Sequence, residues 1–293
     1  MKALITLPHY YKPSTSGMYG SSLEAEADRI HVLERVISTW HEVFAYPAAS
    51  VHQKVEGEGT AKKIYALMKP ADKLLHIDVT LVFVTTEQEH LLDKVNLNAN
   101  LYRHQRVKIS DPGYLGFACH RILQEHRGEF DYYCYSEDDQ IVHDAFFFRK
   151  LAWFESTFGS RCLLQPNRYM TGLEPVFKEY IDFEYQRYTD TWIDYGRQTT
   201  LHTEFLGQAL NFFKTRNPHA GCFFLSAAQY EMMCERDGYA LPNSQFAGPL
   251  ESAATFDIMQ TFDIYRPDFE QAAFLTVEHI GKRPGNSVER IVM

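Results

Sequence analysis

The sequence predicts an α/β protein, with a mostly parallel central sheet, helices on both faces and a more elaborate C-terminal half. Three observations predict it. Short β-branched or bulky runs alternate with segments of three- and four-residue apolar spacing through residue 166, the pattern of strand–helix–strand units. The chain has 293 residues, 45% of them hydrophobic and 23% charged, which is a globular mixture able to bury a large core. No repeat, low-complexity tract or linker divides it, so residues 1–293 read as one unit, with a first half to residue 166 and a second from 167.

The elements follow in order. Ala3 to Leu7 is strand-like and breaks at Pro8, and His9 to Ser22, rich in Tyr, Ser, Gly and Pro, is a loop. Ser21-Ser22-Leu23-Glu24 has capping-box spacing, and Ile30, Leu33, Ile37, Trp40 and Phe44 then make one buried helical face. Strands are expected at Ile77 to Thr85 and, more briefly, at Arg106 to Ile109. Leu115 to His126 is a helix closed by Gly128, because glycine accepts the left-handed conformation past a helix C-terminus. Tyr132 to Tyr135 is a strand that runs into Glu137-Asp138-Asp139, followed by a helix near Ala145 to Phe158 and a strand at Cys162 to Gln165. In the second half, helices are expected around Thr203 to Lys214, Ser226 to Arg236 and Leu250 to Thr261, and a last strand over Ala272 to Val277 leads to Glu278-His279.

Composition excludes several functions. With 29 Lys plus Arg against 38 Asp plus Glu, the net charge of -9 argues against a nucleic-acid partner, whose phosphates need a basic field. No run approaches the roughly 20 apolar residues of a membrane helix, and the N-terminus shows no signal peptide. Five cysteines without a CxxC pair fit neither a zinc ribbon nor a disulfide framework, so a reducing cytoplasm is expected.

The chemistry concentrates at the acidic triplet. Open parallel sheets hold ligands at the carboxyl ends of their strands, and Glu137-Asp138-Asp139 occupies such an end. Crowded carboxylates repel one another unless a cation or hydrogen-bond donors neutralise them. Mg²⁺ and Mn²⁺ favour oxygen ligands shared with substrate phosphates. An acidic surface turn is the plainer alternative.

The segment Gly116-x-Ala118-x-x-Arg121, then Gly128-Glu129-Phe130-Asp131-Tyr132-Tyr133-Cys134-Tyr135-Ser136-Glu137-Asp138-Asp139, resembles the centre of GT-A-fold glycosyltransferases. There a buried strand ends in the metal-binding DxD motif. The resemblance covers about residues 115 to 150 and extends elsewhere only as strand–helix order. It implies a GT-A-like fold, a UDP- or GDP-linked sugar donor, a carbohydrate or other hydroxyl acceptor, and Mn²⁺ or Mg²⁺ on the diphosphate. Asp139 becomes the main metal ligand, Glu137 a ligand directly or through water, and Asp138 a contact to ribose or sugar. The first position is Glu where the usual motif has Asp.

The same resemblance assigns further residues. His279, after the last apolar run, would complete the metal shell, and Lys282 beside Arg283 would meet the diphosphate; each also reads as an ordinary strand end or solvated tail. Pro8, His9, Tyr10 and Tyr11 follow the first strand, where such proteins hold base and ribose, and a Tyr ring can stack on a base. Arg121 either touches the nucleotide or pairs with an acidic neighbour. An inverting transfer needs a general base, for which Glu251 at a helix start is the first candidate and Asp257 and Asp263 are weaker ones. Glutamate is equally favoured in any first helical turn by the helix dipole.

Among the aromatic residues from Phe177 to Tyr195, Tyr188 and Trp192 are candidates for an acceptor wall, and Asn167 or Arg168 for the cleft. One rival is a sugar nucleotidyltransferase, although His9 to Gly20 lacks the expected Gly-rich basic loop. Another is a non-catalytic carbohydrate-binding protein of the same fold.

Overall fold

A computed structural model of the chain describes residues 1–13, 25–45, 49–56, 63–70, 76–171, 178–181 and 200–281. The capping-box residues 21–24, Phe177, the aromatic residues of 183–195, Lys282 and Arg283 lie outside the described residues. The strands are β1 (Lys2–His9), β2 (Ala49–Glu56), β3 (Lys63–Pro70), β4 (Asp78–Thr85), β5 (Arg103–Arg106), β6 (Tyr132–Ser136), β7 (Gln140–Ile141), β8 (Cys162–Leu164), β9 (Asn167–Thr171), β10 (Lys178–Ile181), β11 (Thr200–Phe205), β12 (Gln208–Lys214), β13 (Cys222–Ser226), β14 (Asp263–Pro267) and β15 (Thr276–His279). The helices are α1 (Glu26–Trp40), α2 (Leu115–Glu125), α3 (Phe147–Phe158), α4 (Ala227–Cys234) and α5 (Pro249–Thr261).

The fold is α/β with a parallel-rich central sheet, as the alternation of elements predicts. The sheet order is β13-β6-β1-β4-β5. β6, β1, β4 and β5 are parallel, and only the edge strand β13 is antiparallel. Because side chains alternate across a strand, the two faces have separate cores. Ala3, Ile5, Leu7, Cys134 and Phe224 face one way and pack with Leu33, Ile37 and Trp40 of α1 and Phe148 of α3. Leu4, Tyr133, Tyr135 and Phe223 face the other way, against Leu115 and Ala118 of α2, Tyr230 of α4 and Ile258 of α5. A Cβ on Gly116 would sit 2.4 Å from Cβ of Ala253, so α2 and α5 approach this closely only because residue 116 is glycine.

Two smaller sheets, β10-β9-β15-β7 and β11-β12-β14-β8, and the β2–β3 hairpin complete the described strands. Three expectations require correction. Thr203 to Lys214 is not a helix but most of the β11–β12 hairpin, turning at Leu206 and Gly207 with φ of 50° and 81°. Positive φ at both central residues matches the twist of the flanking strands, and a short apolar run alone does not separate period 2 from period 3.6. The edge strand covers Arg103–Arg106 and ends where Arg106 to Ile109 was expected to begin. Ala272 to Phe274 belong to a 3₁₀ turn, and the last strand starts only at Thr276.

Buried His120 on α2 gives the fold a pH dependence. Its Nε2–H donates to the carbonyl of Ala253 at 2.8 Å, and its ring is wholly buried among Phe117, Tyr135, Phe223 and Tyr239. Burial lowers its pKa to about 4, against the opposing pull of the Ala253 hydrogen bond. Asp257 lies 3.6 Å from Nδ1 but is already held by Arg236 and the amide of Ala240. Between about pH 6.5 and 4 the unfolded chain therefore takes up a proton that the folded one refuses, so stability falls as pH falls. The melting temperature of wild type should drop more steeply from pH 7 to 4.5 than that of His120→Gln. Parallel curves would locate the acid sensitivity elsewhere.

Candidate functional site

β1, β4 and β6 run parallel, so the segments after β1 and β6 emerge at one edge of the sheet. A cleft of about 720 Å³ opens there, a size usual for small-molecule sites. Its walls include Pro8 and Tyr10 after β1, Arg29 of α1, Leu250 of α5, and the Glu137–Asp139 turn facing His279. It therefore draws on both sides of residue 166.

The turn is tied to the C-terminal strand through the backbone. His279 pairs with Gln140 across β15 and β7, and the Ile280 amide donates to the Asp139 carbonyl at 2.8 Å. Glu278 fastens β15 from behind, accepting hydrogen bonds from His143 at 2.6 Å and Thr171 at 2.8 Å. Those bonds, above all that of His143, outweigh burial and keep the Glu278 carboxyl below its ordinary pKa.

The three acids have separate environments. Asp138 accepts Nδ1–H of His9 at 2.5 Å and Nη2 of Arg29 at 2.9 and 2.7 Å. Burial pushes its pKa up, but the charge of Arg29 and the His9 hydrogen bond prevail and hold it well below the carboxylate range. The His9 tautomer follows from its other partner: Nε2 accepts the Leu91 amide at 3.0 Å, so the proton is on Nδ1. Glu137 accepts from Arg168 at 3.0 Å and Gln140 at 3.2 Å. A Cβ on Gly221, whose φ is +65°, would lie 2.3 Å from Oε2 of Glu137, so the turn needs glycine opposite it.

Asp139 is different. Its Oδ1 is buried without a hydrogen-bond partner, as is Nδ1 of His279, and Oδ2 stands 3.5 Å from Nε2 of His279. Burial raises the Asp139 pKa, Asp138 adds to the rise, and His279, Arg29 and Arg168 oppose it. One ligand atom each from Glu137, Asp139 and His279 falls within 4.8 Å of the others. Three carboxylates against the guanidinium groups of Arg29 and Arg168 leave an excess of negative charge, and two carboxylates plus an imidazole form a donor set suited to Mn²⁺ or Mg²⁺. The residues present fit a divalent ion.

The structure sorts the other sequence candidates. Pro8 and Tyr10 line the cleft, whereas His9 and Tyr11 are buried and do not face it. His9 instead orients Asp138, which lines the cleft while accepting hydrogen bonds from His9 and Arg29. Arg121 is exposed on α2, six residues beyond Leu115 at the cleft, or about 9 Å along the axis, and does not line it. Glu251 stands in the first turn of α5 with its carboxylate folded over Gly248; its neighbour Leu250 reaches the cleft wall and Glu251 does not. The weaker candidates for the base are both held in ion pairs, Asp257 with Arg236 and Asp263 with Lys214. Asn167 is buried and donates to the carbonyls of Pro267 and Ala272, a structural role.

Sequence reasoning missed Arg29. It continues the stripe of Leu33, Ile37 and Trp40 by one turn, and a charged residue at a core-facing position signals a buried partner.

No protein-family model and no curated protein matches the chain. A comparison of folds finds a crystal structure of S. aureus TarS residues 1–349 in complex with UDP-GlcNAc, at TM-score 0.44 and 10% identity. The alignment takes in 98% of this chain and 60% of that one, so the chain spans about 60% of its length. No helix among the described residues is long and apolar enough to cross a membrane.

Proposed function

We propose that this chain is a GT-A-like glycosyltransferase that moves a sugar from a UDP- or GDP-linked donor to a hydroxyl acceptor, with Mn²⁺ or Mg²⁺ on the diphosphate. The observation that carries the reading is the meeting of Glu137 and Asp139, from the middle of the sequence, with His279, 140 residues after Asp139, at the carboxyl edge of a parallel sheet and in a cleft of about 720 Å³. Glu137, Asp139 and His279 would hold the ion, which would supply positive charge to the leaving diphosphate. Arg29 stands beside them, fixed by Asp138, and adds a permanent cation to the same wall. Pro8 and Tyr10 offer an apolar surface and a ring to the base. Glu251, whose carboxylate lies over Gly248 outside the cleft lining, would have to turn past Leu250 toward the acceptor to act as its base.

The test is a thermal-shift panel of nucleoside diphosphates with and without Mn²⁺. A ligand that binds only the folded state raises the melting temperature by mass action. The expected result is a shift for one nucleotide with Mn²⁺ that exceeds the sum of the separate shifts and disappears in Asp139→Ala. No response to any nucleotide, with or without metal, would end the transferase reading.

A further inference from the structure

A second cluster of metal-ligating groups lies outside the cleft, beneath the loop between β4 and β5. His90 follows β4, Asp93 sits in the 3₁₀ turn Leu92–Lys94, and His104 is on the edge strand β5. We propose that His90, Asp93 and His104 form a structural site for a borderline divalent ion such as Zn²⁺, which pins this loop to the edge strand. One ligand atom from each lies within 4.8 Å of the others, and Nε2 of His90 is 3.9 Å from Oδ2 of Asp93. A zinc site needs bonds of about 2.0–2.2 Å, which small side-chain rotations from this arrangement can reach.

The surroundings point to a ligand. The side chain of His90 is only 3% exposed, yet its Nδ1 has no hydrogen-bond partner. Its ring stands edge-on to that of His104, with centroids 4.6 Å apart. Nδ1 of His90 is thus a buried polar nitrogen left unused beside a second imidazole, which is unfavourable unless something occupies it. His104 has the supporting bond that metal-bound histidines commonly make. Thr85 donates its hydroxyl proton to the Thr86 carbonyl at 2.7 Å, so its oxygen accepts Nε2–H of His104 at 2.8 Å and the lone pair is left on Nδ1. Burial lowers the pKa of both rings, that of His104 to about 4, so both are neutral and able to ligate at pH 7.

Arg106 is the competitor, since it holds Asp93 at 3.0 and 3.2 Å. Its side chain is 49% exposed and that of Asp93 67%, and a pair so open to water contributes little, so an ion can displace it. Two nitrogens and one oxygen form a softer set than that of the cleft and favour Zn²⁺ or Co²⁺ over Mg²⁺. The ion would also steady Leu91, whose amide holds His9 and, through it, Asp138.

The experiment uses the full chain carrying Asp139→Asn, which disables the cleft site, stripped with a chelator and titrated with Co²⁺ and Zn²⁺. One equivalent of Zn²⁺ should be retained on gel filtration, and Co²⁺ should give the visible absorption of a low-coordinate site. Adding Asp93→Asn, an exposed change that leaves the core untouched, should weaken binding by at least about tenfold. Adding His104→Gln should abolish the Co²⁺ band. Failure to retain Zn²⁺, or unchanged affinity in both added variants, would overturn the assignment.

Discussion

Asp138→Ala is expected to lower the unfolding free energy by about 3–5 kcal/mol, the loss seen when one partner of a buried ion pair is removed. The side chains of Arg29 and Asp138 are 15% and 11% exposed. Nε of Arg29 already lacks a partner, and Asp138 takes both of its close hydrogen bonds. Without the carboxylate the guanidinium stays in the protein with only Asp139, at 3.7 Å, to offset it, and Nδ1–H of His9 loses its acceptor. Asp138→Asn keeps the shape and an acceptor and should lose less. Replacing both partners, as in Arg29→Met with Asp138→Leu, should recover much of the difference, because the desolvation penalty of the pair goes with it. Equilibrium denaturant unfolding of the four proteins measures all of this. A loss below about 1 kcal/mol for Asp138→Ala would place the pair in the class of solvent-compensated surface bridges.

The pair also shows which parts of the site the sequence made legible. Strand parity contains more than the segment Pro8 to Tyr11 reveals as a block. Ala3, Ile5 and Leu7 share one face of β1, and His9 and Tyr11 continue that odd-numbered series into the protein, while Pro8 and Tyr10 alternate out to the cleft. Treating the four residues alike overlooks this two-residue period. Arg29 is legible in the same way, as a cation one turn before Leu33 on the buried stripe of α1. The partner it needed, Asp138, is 109 residues away, and no local pattern links them.

The acidic triplet and the central strands are legible because their signals are local: bulky β-branched runs and three adjacent carboxylates at a strand end. The contribution of His279 depends on β15 pairing with β7, a long-range contact that the sequence supports only through the resemblance of the central segment. The β11–β12 hairpin failed for the opposite reason. Its signal is local, but Leu206-Gly207 is a weak turn signature beside Asn-Gly, and the apolar spacing of the run fits both periods.

Asp139→Asn is expected to separate folding from function. The carboxylate is buried, its Oδ1 is unpartnered, and Asp138 repels it across the turn. Its raised pKa means that keeping it ionised at pH 7 opposes folding, since a group whose folded pKa lies above the unfolded value of about 3.9 resists the charge that water would allow. The amide removes that charge with almost no change of shape. The metal-free variant should therefore be more stable than metal-free wild type, by roughly 0.5–2 kcal/mol, the gain common when a functional strain is relieved.

With Mn²⁺ the order should reverse. Wild type should gain stability with metal concentration, while the variant, lacking one of the three proposed donors Glu137, Asp139 and His279, should bind at least about 10–100-fold more weakly, which is the loss typical even of a supporting partner. Melting curves of both proteins across a Mn²⁺ titration would show two lines that cross. Lines that never cross, with wild type the more stable even in chelator, would mean that Asp139 contributes to the fold through its charge and that the triplet is a structural turn.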